Sequence, residues 1–197
     1  MADKELEGFF GDVAIEKATL RSGGNHVRPG EHTMCVHEFK PFESRNDRGK
    51  CVAAELDIVE SKGKTEHLTH LGTEEKGFGV KVSAPHDDGE RVSALFMDLD
   101  QKGQQPDLSR GNLLTICVAV KESLRKAAVQ MPDAKITEKY AAMGIDIDTK
   151  ALTGKELAAF CSPDQPFQGI KIKCSARTIK TKPGNPFTEL LWQGCDQ

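Results

Sequence analysis

The sequence predicts an α+β fold that is mainly β, on three observations. Two runs, EHTMCVHEF from Glu31 and CVAAELDIVES from Cys51, alternate apolar and polar residues at the period of a half-buried strand. The middle of the chain changes to a helical period, with Leu113, Cys117, Val120, Leu124, Ala127 and Met131 on one face. The C-terminal stretch then returns to a period of two.

Residues 1–30 read as an N-terminal arm, interrupted by Gly8, Gly11, Gly23, Gly24, Pro29 and Gly30. Residues 31–100 hold the first strands. In the first, Met34 and Val36 face one way and Cys35 and His37 the other; in the second, Ala54, Leu56 and Ile58 oppose Glu55 and Asp57. Between them KPFESRNDRGK, Lys40 to Lys50, is a polar turn in which four basic residues outnumber two acidic ones. These pieces predict a long β-hairpin with a charged tip. GFGVKVSA and RVSALFMDL supply a third and a fourth strand, and DQKGQQPDLSRG a loop.

Residues 101–166 read as a helical insert. Asn112 to about Gln130 is an amphipathic helix, ITEKYAAMG is a short one stopped by Gly144, and a third precedes Pro163. That third helix opens on a capping box, in which Thr153 and Glu156 satisfy each other's backbone N–H groups. Residues 167–197 close the domain as a hairpin. Ile170, Ile172, Cys174 and Ala176 alternate with Lys171, Lys173, Ser175 and Arg177, so one face is apolar and the other basic. The alternation breaks at Ile179, which predicts a register change or a strand end there. KPGNP is a turn and FTELLW the returning strand. About five antiparallel strands with one helical insertion suit an OB-type barrel in a single domain.

At 197 residues and net charge −3, the chain is long enough for a core without staples and is not coated in positive charge. It shows no signal-peptide pattern and no long apolar run, and its six cysteines form no CxxC pair, which predicts reduced thiols in the cytoplasm and no membrane partner. His32, Cys35 and His37 in HTMCVH, and His67 and His70 in HLTH, lack the spacing of a four-ligand zinc site, so no metal is expected. GKT at Gly63 lacks the earlier glycine of a phosphate loop, because that position is Ile58. No nucleophile signature is present, so neither an enzyme nor a cofactor is predicted.

The remaining signal is charge. Phe167 to Trp192 holds Lys171, Lys173, Arg177, Lys180 and Lys182, with Glu189 as its one acid. Phe187 and Trp192 lie on the partner strand, each with equal claim to the core or to a stacking role. The first hairpin adds Lys50, Arg45 and Arg48, with Phe39 and Phe42 nearby. Cations that follow a phosphate backbone, with rings on which bases stack, are what a single-stranded nucleic-acid groove needs. A solvated lysine-bearing strand face is the competing explanation.

The segment QPFQGIKIKCSARTIKTKPGNPFTELLW resembles the closing strands of bacteriophage-type OB-fold single-stranded DNA-binding proteins. In these a strand leads into a TK-x-G-x-x-F-T turn, matched here by Thr181, Lys182, Gly184, Phe187 and Thr188. RPGEHTMCVHEFKPFESRNDRGKCVAAELDIVES is similar to their first two strands. The resemblance covers about half of the chain. It implies coating of single-stranded DNA in phage replication and recombination without sequence specificity, a homodimer, and contact with a replication polymerase or helicase. The alternative is a virion structural or capsid-decorating protein on a β-barrel, whose basic face meets an acidic neighbour.

Overall fold

The structure, a computed structural model, describes residues 25–44, 49–67, 80–100, 106–130, 135–180 and 186–197. Among these residues ten elements follow in chain order. They are β1 (Asn25–His26), β2 (Gly30–Glu43), β3 (Lys50–His67), β4 (Val80–Ser83), β5 (Arg91–Phe96), α1 (Pro106–Gln130), α2 (Lys135–Ala142), α3 (Gly154–Phe160), β6 (Lys171–Lys180) and β7 (Pro186–Gly194).

The sheet runs β1-β5-β3-β2-β6-β7, with β4 pairing the far end of β3. Its five main strands, β5-β3-β2-β6-β7, are antiparallel throughout. Among the described residues nothing joins β5 to β7, so the five-stranded antiparallel sheet is not closed into a barrel. Instead α1 lies against β5, β6 and β7 on one face. No helix among the described residues is long and apolar enough to cross a membrane.

The alternation read from the sequence sets the layers. Met34, Val36, Ala54, Leu56, Ile58, Val92, Ala94, Ile172, Cys174 and Ala176 point inward and are buried. They meet Leu113, Ile116, Cys117, Val120 and Leu124 of α1. Two bulges keep the pattern in phase along β2. One falls opposite Thr33/Met34, and the other leaves His37 as the extra residue between Val36 and Glu38. The second lets Val36 and Phe39 both point inward although they lie an odd three positions apart.

The first strands run longer than expected, to Glu43 and to His67. α1 also starts earlier, at Pro106, within the stretch expected to be a loop. Proline suits a first helical turn, because its missing N–H has no intrahelical partner there and its φ is already helical. α2 ends before Gly144, which sits at φ +75°. The capping box before α3 is present, with the Thr153 Oγ1 accepting from the Glu156 N–H and Glu156 Oε2 accepting from the Thr153 N–H.

The closing hairpin corrects one expectation. β6 and β7 pair without a shift from Ile172↔Gly194 through Ile179↔Phe187 to Lys180↔Pro186. Thr178 occupies the inward position and is buried. A polar residue on the inner face broke the apolar alternation, while the register continued.

The insert is held by an aromatic stack. Phe160 and Phe167 lie face to face at 3.9 Å, Tyr140 stacks on Phe167 at 5.5 Å, and Phe39 meets Phe160 edge-on at 5.2 Å.

Candidate nucleic-acid interface

The outer face of the sheet carries the candidate residues that point to solvent. Strand pairing puts Lys173 beside Thr33 and Lys171 beside Cys35, in one row on β6. Lys173 is exposed and Lys171 half-buried. Among the described residues neither ammonium has an ion-pair partner. Further along β2, Lys40 sits opposite Ala53 and Phe42 opposite Cys51, and Lys50 opens β3. Lys40 and Lys50 are exposed, and the Phe42 ring is 38% exposed. Leu95, 43% exposed, pairs with Ala53 from the β5 side. Phe42, Ala53 and Leu95 therefore form an apolar ledge bordered by two lysines, with Cys51 buried.

Leu95 was missed in the sequence reading. Its signal was its phase, since Val92, Ala94 and Phe96 point inward and leave a leucine on the solvent side of β5.

Between the Lys171–Lys173 row and this ledge the face is acidic and largely internally paired, although Glu38, opposite Glu55, has no hydrogen-bond or ion-pair partner among the described residues. Arg91 Nε donates to Asp57 Oδ1 at 2.8 Å, and Ser93 Oγ donates to Glu55 Oε2 at 2.8 Å. The Asp57 carboxylate beside Arg91 raises its pKa further, against some burial, with Glu55 and Glu38 adding to the effect. His37 Nδ1 lies 3.1 Å from Asp57 Oδ2 and 3.0 Å from Arg91 Nη2. At the other end, Ser175 Oγ donates to Glu31 Oε1.

Three expected contact residues change role. Arg177 is exposed but its Nε donates to Glu189 Oε2 across the strands, so its charge is already matched. Phe39 has no exposed surface and is a core ring against Phe160, so it offers no platform to a base. Trp192 is 6% exposed and belongs to the core beside Cys174, which resolves its two readings toward packing. Lys180 and Phe187 are described by their backbone positions in β6 and β7, where Lys180 is out of phase with the Lys171–Lys173 row. Arg45, Arg48, Lys182 and His70 lie outside the described residues.

The other titratable clusters are structural. Lys121 is fully buried and its ammonium donates to Glu156 Oε1, Thr149 Oγ1 and the Ala151 carbonyl. His32 is buried between Ser61 Oγ and the Arg28 carbonyl, edge-on to His86. All six cysteines are free, and burial pushes the Cys117 and Cys174 thiols far up, which leaves them poor nucleophiles. Among the described residues no group of three or more His, Cys, Asp or Glu could hold a metal. No protein-family model and no curated protein sequence matches the chain.

Proposed function

We propose that the protein is a non-catalytic module that binds single-stranded DNA across the outer face of its sheet. The observation that carries this reading is the contrast in pairing. Among the described residues the carboxylates of Asp57, Glu55, Glu31 and Glu189 each have a partner, although Glu38 lacks one, whereas the ammoniums of Lys171, Lys173, Lys40 and Lys50 have no ion-pair partner; Lys173, Lys40 and Lys50 are exposed and Lys171 is half-buried. Unmatched cations are the ones that release counterions on meeting phosphate.

The geometry suits a strand running along β2. From the Lys173 position, opposite Thr33, to Lys40 is a span of about 23 Å at the usual rise per residue. Phe42 would stack a base at the far end, with Leu95 beside it and Lys50 on the phosphate. An OB-type barrel is five-stranded and partly open, and it binds oligonucleotides on its second and third strands and its first and last hairpin loops. In that scheme β3 and β5 take the place of the second and third strands. The mixed charge of the face argues against a duplex, which demands denser phosphate neutralisation.

A titration of labelled oligothymidine of about 30 nucleotides, longer than the roughly 4–16 covered per fold, tests the proposal. Followed by anisotropy at several salt concentrations, it should show preference for single strands over duplex and a negative log–log salt slope. Absent or salt-independent binding would sink it, and equal affinity for oligouridine would extend the ligand to RNA.

A further inference from the structure

We infer that the free edge of β7 pairs with the β7 edge of a second copy of this chain, making one continuous sheet across a two-fold axis centred on Leu190. The two sides of the sheet differ in how their edges are treated. On the β5 side, β1 covers Val92 and Ser93 by parallel pairing. On the β7 side, side chains of α1 bind the backbone groups at the end of the strand. Glu122 Oε2 accepts from the Gly194 N–H, Lys126 Nζ donates to the Gly194 carbonyl, and Ser123 Oγ accepts from the Cys195 N–H.

Those bonds also fix the direction of the other groups. The N–H and C=O of one residue in an antiparallel strand point to the same side. Gly194 points away from β6, so Trp192, Leu190 and Thr188 do too. Among the described residues no strand, helix or side chain meets their edge-facing groups. From Thr188 to Trp192 the edge also lacks lysine, proline and bulges, the usual devices that keep an edge from pairing.

The register follows from the open groups. Centring on Leu190 sets Thr188 opposite the partner's Trp192, Leu190 opposite its own copy, and Glu189 opposite the partner's Leu191, giving about six backbone hydrogen bonds. No like charges face each other, and each Glu189 is already matched by Arg177 of its own chain. Leu191, 43% exposed at present, gains cover. The buried Trp192 Nε1–H has no acceptor among the described residues, and this register brings the hydroxyl-bearing Thr188 of the second copy directly opposite it on the same face.

Sedimentation equilibrium of the full chain without nucleic acid, over a wide concentration range, tests the inference separately from DNA binding. A monomer–dimer equilibrium is expected, with a concentration-dependent shift in the emission of Trp192, the only tryptophan. Thr188→Pro removes an edge donor from each copy while leaving the β6 ladder intact, and should weaken dimerisation by about tenfold with the melting temperature retained. Leu191→Glu should weaken it as well, by setting carboxylates opposite each other, whereas Leu191→Lys should keep or tighten it. A chain that stays monomeric would overturn the inference and leave the edge to an extended segment of another protein. A dimer indifferent to Thr188→Pro, and equally tolerant of Glu and Lys at 191, would also overturn it.

Discussion

Lys121 Nζ lies 2.8 Å from Glu156 Oε1, and both side chains are buried, at 1% and 4% exposure. The pair ties the middle of α1 to the first turn of α3 and the loop before it. Each member is fully bonded, since Lys121 also meets Thr149 and Ala151, and Glu156 accepts from the Asp146 and Thr153 N–H groups. Removing one partner should therefore cost more than the pair contributes. Lys121→Ala leaves a buried carboxylate unmatched and is expected to destabilise by about 3–5 kcal/mol, read from chemical denaturation. Double replacement with apolar residues of similar volume should recover much of that loss. The pH dependence has a definite sign. Burial by itself would raise the Glu156 pKa, but Lys121, the two backbone N–H groups and the Thr153 hydroxyl outweigh it and hold it down to about 2. A depressed carboxylate contributes stability above its ordinary value near 4.5, and that contribution fades as pH falls from there toward 2.

His32 gives a second pH response, in a window nearer neutrality. Burial lowers its pKa below 6.5 and the neighbouring His86 adds to this, against the opposing bond to the Arg28 carbonyl and the field of Glu31. The unfolded chain takes up the proton more readily, so stability should decline as pH falls below about 6.5. Thermal melts of the native protein and of His32→Gln between neutrality and mild acid check this. The slope should flatten in the variant. An unchanged slope would mean that the acid sensitivity in this range arises elsewhere.

Phe39 and Phe42 stand three residues apart on one strand and separate packing from binding. Phe39→Ala opens a cavity beside Phe160 and is expected to cost about 3–5 kcal/mol of stability. Phe42→Ala removes a partly exposed ring and should leave the melting point within a few degrees. If Phe42 stacks a base, its loss should weaken oligothymidine binding by roughly 1–3 kcal/mol, seen in the anisotropy titration. Unchanged affinity would remove Phe42 from the interface.

The contrast between these two rings also shows what the sequence could and could not reveal. Strand alternation around Met34, Leu56 and Ile172 was legible, because one buried face imposes a period of two. The capping box at Thr153 was legible because its chemistry is local. The bulge at His37 was not, since one extra residue leaves no local mark, yet it decides that Phe39 points inward. The match between Arg177 and Glu189 was hidden for a similar reason. They lie twelve positions apart in the sequence, and only the register Arg177↔Glu189 brings them face to face. Thr178 misled in the opposite sense, since one polar residue on an inner face resembled a change of register. The start of α1 was hidden by its polar first turns, where a lone Pro106 reads equally well as loop.

The Arg177–Glu189 pair supplies the sharpest test of the binding face. Lys171 and Lys173 have no ion-pair partner among the described residues, so their charges are available to phosphate, whereas Arg177 must leave a carboxylate before it can help. Replacing both lysines by alanine should lower affinity at moderate salt and reduce the magnitude of the salt slope by about 1.4, or roughly 0.7 per phosphate contact on a single strand. Folding stability should change little, because lysines without partners at the surface contribute little to it. Arg177→Ala should have a smaller effect on binding than either lysine. Glu189→Gln should do the reverse, releasing the guanidinium toward the ligand and tightening binding, at a stability cost within about 1 kcal/mol for an exposed pair. Loss of affinity in Glu189→Gln, or equal losses in the arginine and lysine variants, would place the ligand away from the β6 row.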